Sequence, residues 1–97
     1  MKRLVFSATA RDDLLQILRY IARDKPLAAV AFVDRVEQQC EFLARSPESG
    51  TKREDLALDL RVFSFHGYGI YFRNLTDRVR VERVLPPGLD ITKQSFD

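Results

Sequence analysis

Four arginines and a tyrosine are the residues whose types and spacing could do chemistry: Arg61, Tyr71, Arg73, Arg80 and Arg83 fall in short Val/Ile/Phe-rich segments of the C-terminal half. Guanidinium groups brought together on one surface can hold phosphates or carboxylates through paired N–H donors. Proton transfer is a different requirement. It needs an imidazole, a carboxylic acid or a phenol at the reacting bond, and such a group contributes typically 10²–10⁴-fold. The chain has one histidine, His66, and it stands beside Gly67 where a turn is expected. No tyrosine follows Tyr71, and the last apolar segment runs Arg83-Val84-Leu85 into Pro86-Pro87-Gly88-Leu89-Asp90. Proline can neither donate nor accept a side-chain proton. The cationic cluster therefore has no good general acid next to it. No two carboxylates sit where paired acid–base work is suggested, and no Gly-rich phosphate loop is present.

The elements that must position these residues are legible. Arg3–Phe6 reads as a short strand. Ser7 or Thr9 can cap a helix that carries Asp12 and Asp13 in its first turn and ends near Arg23. Leu14, Ile17, Leu18 and Ile21 recur at i, i+3, i+4 and i+7, one face of that helix. Asp24-Lys25-Pro26 breaks the chain, and a second helix runs from about Pro26 to Ala44. Its apolar stripe is Ala29, Phe32, Val33, Val36, Cys40 and Leu43. Two helices joined by so short a link pack as an antiparallel hairpin.

After Gly50 the period changes. Leu60–Phe65, Tyr68–Arg73 and Arg78–Leu85 read as an antiparallel meander turned by His66-Gly67 and by Asn74–Asp77, with Lys52 to Asp55 as a mixed-charge loop before it. The order β-α-α-β-β-β makes a single α+β domain over residues 1–97, the helical hairpin covering one face of the sheet. The first strand is expected beside one of the later three. Alternation sends Ile70, Phe72, Val79 and Val81 toward the helices and leaves Arg61, Phe63, Tyr71, Arg73 and Arg80 on the open face. Arg83 shares parity with Val79 and Val81, so it is half-buried at the strand end or displaced by a bulge.

Composition bounds the rest. Ninety-seven residues with 45% hydrophobic content suit one core, and a net charge of +2 does not force a nucleic-acid reading. One cysteine rules out an internal disulfide and a cysteine metal cluster. No signal peptide or membrane-length apolar run is visible, so the expectation is a cytoplasmic protein with no metal and no cofactor.

Read in order, "ARDDLLQILRYIARD", "PLAAVAF", "PESG", "DLRVF", "YGIYFR" and "VERVL" resemble the ParE branch of the RelE/ParE toxin superfamily, from Leu4 to Ile91. The resemblance implies a helical hairpin over a sheet, as read above, and the toxin of a type II toxin–antitoxin pair. It implies growth arrest by inhibition of DNA gyrase through binding rather than catalysis. It also implies neutralisation by a ParD-like antitoxin with a ribbon-helix-helix domain and a disordered tail. The RelE branch instead cuts mRNA on the ribosome, and an inactive relative would only bind its antitoxin; both stand as alternatives. Family members commonly read R-V-L-H-G where this chain has Arg83-Val84-Leu85-Pro86-Pro87, with Asp90 in the acidic position that follows. The missing imidazole favours the ParE reading. Expected target-binding residues are Arg61, Tyr71, Arg73, Arg83, Pro86, Pro87 and Asp90. Leu14, Leu18, Tyr20, Phe32 and Val36 are the expected antitoxin contacts. Direct nucleic-acid binding without a partner protein is not expected, and no membrane association is.

Overall fold

The computed structural model describes residues 2–96. Strand β1 (Arg3–Phe6) leads into helix α1 (Ala8–Ala22) and helix α2 (Pro26–Arg45). Strands β2 (Thr51–Lys52), β3 (Leu60–Phe65), β4 (Tyr68–Asn74) and β5 (Arg78–Leu85) follow. The sheet is mixed and five-stranded, in the order β1-β5-β4-β3-β2. β1 lies parallel to β5, and the remaining pairs are antiparallel. The meander and the placing of the first strand follow the sequence reading. β2 does not: Thr51 and Lys52 run into the expected mixed-charge loop and are too short and too polar a pair to signal a strand.

Local chemistry accounts for the breaks. Ser7 caps α1 by accepting from the Ala10 N–H at 2.9 Å, while its own hydroxyl donates to the Glu82 carbonyl at 2.8 Å. One side chain thus starts the helix and ties it to β5. Pro26 opens α2, where its missing N–H costs nothing. His66 and Gly67 both have positive φ, 50° and 80°, the pattern of the two-residue turn that matches strand twist. Gly50 has no room for a side chain, since a Cβ there would fall 2.4 Å from the Phe72 ring.

Two apolar clusters lie on opposite faces of the sheet. The larger joins Ile17, Val36, Cys40 and Leu43 of the helices to Ile70, Phe72, Val79, Val81 and Val84. The smaller comprises Leu60, Tyr71, Leu85 and Phe96, with Leu56, Ala57, Val62 and Ile91 around it. The face expected to be open is therefore partly covered, by the loop before β3 and by the residues after β5. Burial pushes the Cys40 thiol up to about 12, as suits a core residue.

The structure corrects several expectations. The register pairs Arg61 with Phe72 and Phe63 with Ile70, which puts Arg61 and Phe63 on the helix side of the sheet. Phe63 meets Phe42 of α2 at 6.1 Å. Hydrophobes of both parities in Leu60-Arg61-Val62-Phe63 made either facing possible, and cross-strand pairing decides it. The first turn of α1 holds no acid, and Asp12 and Asp13 come one turn later. Val36 is wholly inside the core, and Leu14 and Phe32 pack against it. Of the expected antitoxin contacts, only Tyr20 stands well clear, at 69% exposed, with Leu18 half-buried.

Candidate target-binding site

The site grows from a bulge in β5. Tyr71 pairs with Arg83 while Phe72 pairs with Val81, so Glu82 is the additional residue. Val81 and Val84 then both reach the helix-side core, and Arg83 is turned out of the parity it shared with Val79 and Val81. The Arg83 guanidinium forms a two-point pair with Asp13 of α1, Nε to Oδ2 at 2.8 Å and Nη2 to Oδ1 at 3.0 Å. Asp13 also accepts from the Val84 backbone N–H at 3.0 Å. Its bond and charge hold the Arg83 pKa above the ordinary arginine value despite burial that acts the other way. A second pair lies beneath the other face. Glu82, 1% exposed, accepts from Arg73 at 2.6 Å and has Arg80 Nε at 3.6 Å from its other oxygen. That other oxygen has no hydrogen bond, so Arg80 supplies charge without a directed donor.

The remaining donors of these arginines hold the C-terminal segment. Arg73 donates to the carbonyls of Leu58 and Phe96 at 2.9 and 2.8 Å, and Arg83 to that of Ser95 at 3.0 Å. Phe96 seals the smaller cluster, its ring 4.9 Å from Tyr71. Tyr71 is 5% exposed, and burial raises its pKa. Arg61 donates to the Gly50 carbonyl at 3.1 Å, on the edge away from Arg83. The expected target-binding residues are thus not one surface. Arg73, Arg83 and Tyr71 share the middle of the sheet, already engaged; Arg61 stands apart.

What is open lies around the turn after β5. Pro86, Pro87 and Leu89 separate two concavities. One is a groove of about 690 Å³ between α1 and the end of β5. It is lined by the Asp13–Arg83 pair with Ile17 and Val84, and by Tyr20, Tyr68 and the two prolines. The second, about 350 Å³, lies toward Gly69 and Tyr71. Asp90 turns its carboxylate back on the chain, accepting from the Thr92 N–H at 3.1 Å and its hydroxyl at 2.6 Å. Sequence reading missed Arg19 and Arg23, which line the larger groove from α1. Their i, i+4 spacing beside Tyr20 was the available signal, and Arg23 lies 6.0 Å from that ring. Among the described residues no group of three or more His, Cys, Asp or Glu could hold a metal ion. His66 packs edge-on against Phe65 at 4.5 Å, on the helix side.

The family model for the ParE toxin of the type II toxin–antitoxin system parDE matches residues 4–87. The chain belongs to the ParE toxin family. No curated protein matches it by sequence. Among solved structures, this ParE family member is similar to one described as the chromosomal ParDE TA system from P. aeruginosa. The TM-score is 0.78 at 19% identity, covering 90% of this chain and 97% of that one. At that identity the likeness speaks for the fold. The family match ends at Pro87, so the segment from Gly88 to Phe96 that seals the smaller cluster lies beyond it.

Proposed function

We propose that this chain is the toxin of a type II toxin–antitoxin pair, that it inhibits DNA gyrase by binding, and that a cognate ParD-like antitoxin neutralises it in the cytoplasm. The observation that carries the binding reading is that Tyr71, Asp13, Glu82 and His66, four groups of the sheet and its neighbours that could move a proton, are already engaged. Tyr71 is buried with a raised pKa beneath Phe96. Asp13 and Glu82 are held in ion pairs. His66 packs with Phe65 on the other face. Where a nuclease would need an acid to protonate the leaving oxygen, this chain presents Pro86 and Pro87. The groove beside them, lined in part by the exposed Arg19, Arg23 and Tyr20, offers charge and shape instead. Family membership supplies the toxin–antitoxin context, and gyrase is what membership in the ParE branch implies.

The purified chain should block gyrase supercoiling of a relaxed plasmid, and its expression should give filamentous cells. Adding the antitoxin should restore supercoiling. Cleavage of mRNA in a ribosome-programmed extract, with gyrase unaffected, would move the chain to the interferase reading. Inactivity in both assays, with antitoxin binding intact, would leave it an antitoxin-binding relative.

A further inference from the structure

The other half of the Arg73 face carries a second cationic surface. Leu4 and Phe6 of β1 pack into the helix-side core, so Arg3 and Val5 point to the opposite side. On β5, Val79 and Val81 do the same, which turns Arg78 and Arg80 outward beside them. The register then puts arginine against arginine twice: Arg3 is the partner of Arg78 in the parallel pair, and Arg73 is opposite Arg80 in the antiparallel one. Adjacent strands lie about 4.8 Å apart, and like charges at such positions disfavour the sheet. The arrangement is only partly neutralised. Glu82 serves Arg73 and Arg80 from below, and Asp77 meets Arg78 at 3.2 Å from an exposed turn. Arg3 is exposed, and the Arg78 and Arg80 side chains are 38% and 39% exposed.

We infer that Arg3, Arg78 and Arg80 form a docking surface for the phosphate backbone of duplex DNA. Charge complementarity requires a polyanion. The shape of the surface selects which one. The two concavities described above lie at the far end of the sheet, around Pro86 and Pro87, and neither includes a residue of this patch. An acidic peptide would need pockets for its side chains to be recognised. A sugar–phosphate backbone is held by charge and N–H donors alone, and arginine forks suit it better than ammonium groups. Beside Arg3, Arg73, Arg78 and Arg80 the neighbouring acids Asp77 and Glu82 neutralise only part of the charge. Three contacts make a weak site, one that adds to a larger complex on DNA more than it acts alone. The inference does not depend on gyrase being the target.

The test is fluorescence anisotropy of a labelled duplex of arbitrary sequence titrated with the full chain between 50 and 200 mM salt. Three phosphate contacts give a slope of log K against log salt of about −2.7, hence a loss of about 40-fold over that range. The variant Arg3→Ser/Arg78→Ser should flatten the slope to about −0.9, a loss of about 3- to 4-fold. Both side chains are solvent-facing, and an unchanged melting temperature verifies the fold. Arg45→Ser, in the exposed last turn of α2, should leave the slope as in the parent. No binding at 50 mM salt, a slope indifferent to the double variant, or tighter binding to a poly-glutamate peptide than to the duplex would each overturn the inference.

Discussion

Replacing Asp13 by Ala removes one partner of a pair that is nearly out of water, with side chains 8% and 14% exposed for Asp13 and Arg83. Three donors lose their acceptor at once: Arg83 Nε, Arg83 Nη2 and the Val84 backbone N–H. Arg83 cannot swing into solvent without abandoning the Ser95 carbonyl. Breaking a buried pair from one side costs about 3–5 kcal/mol, since the surviving charge stays desolvated. A domain of this size holds only about 5–15 kcal/mol in total. At about 4–8 °C per kcal/mol, the midpoint should fall by about 12–40 °C. Thermal melts give the midpoint and urea denaturation the free energy, both followed by circular dichroism, as the chain has no tryptophan. The double variant Asp13→Leu/Arg83→Met should recover most of the loss, leaving about 1–3 kcal/mol for the orphaned Val84 N–H. A single-variant cost below about 1 kcal/mol, the worth of an exposed pair, would refute the reasoning.

Arg19→Ser/Arg23→Ser should weaken gyrase inhibition about tenfold, about 1.4 kcal/mol, with the melting temperature unchanged, as read from supercoiling titrations. Phe96→Ala should cost about 3 kcal/mol by denaturant melts and speed hydrogen exchange along β3 and β4, because the ring fills the smaller cluster. Cys40, its thiol pushed up to about 12 in the core, should react with a thiol reagent at pH 8 only at the rate of unfolding. Tyr71 is held protonated by burial, so the unfolded chain releases its phenolic proton first; stability should fall as pH rises through about 10, and Tyr71→Phe should reduce that slope.

The sequence carried the hairpin and the meander because each rests on a periodicity: the 3.6-residue stripes of α1 and α2, and alternation in β4 and β5. It failed where periodicity is silent. In β3, Leu60, Val62, Phe63 and Phe65 supply hydrophobes of both parities, and only pairing with β4 turned Arg61 toward the helices. The bulge at Glu82 could be allowed for but not located. Asp13 reads as a helix-terminal acid until β5 brings Arg83 to it across 70 positions of chain. The cover over Tyr71 was illegible for a related reason. Phe96 follows a stretch with no repeat at all, and its burial is dictated by what Arg73 and Arg83 do with their spare donors.

The parallel pairing of β1 with β5 has a consequence for how the chain reaches this state. Arg3 aligns with Arg78, the Ser7 hydroxyl reaches the Glu82 carbonyl, and Asp13 waits for Arg83. Closing a loop of this length costs about 4 kcal/mol of chain entropy beyond a constant. That cost is met before the contacts it enables can form, which is the hallmark of slow, high-contact-order folding. The Ser7 cap on Ala10 is local, but the ties from Ser7 and Asp13 to the sheet run to its last strand. The hairpin can form helically on its own, but β1, the Ser7 hydroxyl and the carboxylate of Asp13 have no partner on the sheet until residues 78–85 are present. Synthesis of this toxin therefore passes through a long interval in which its N-terminal strand and first helix turn are not anchored to the sheet, and the groove lined by the Asp13–Arg83 pair comes into existence only when β5 arrives.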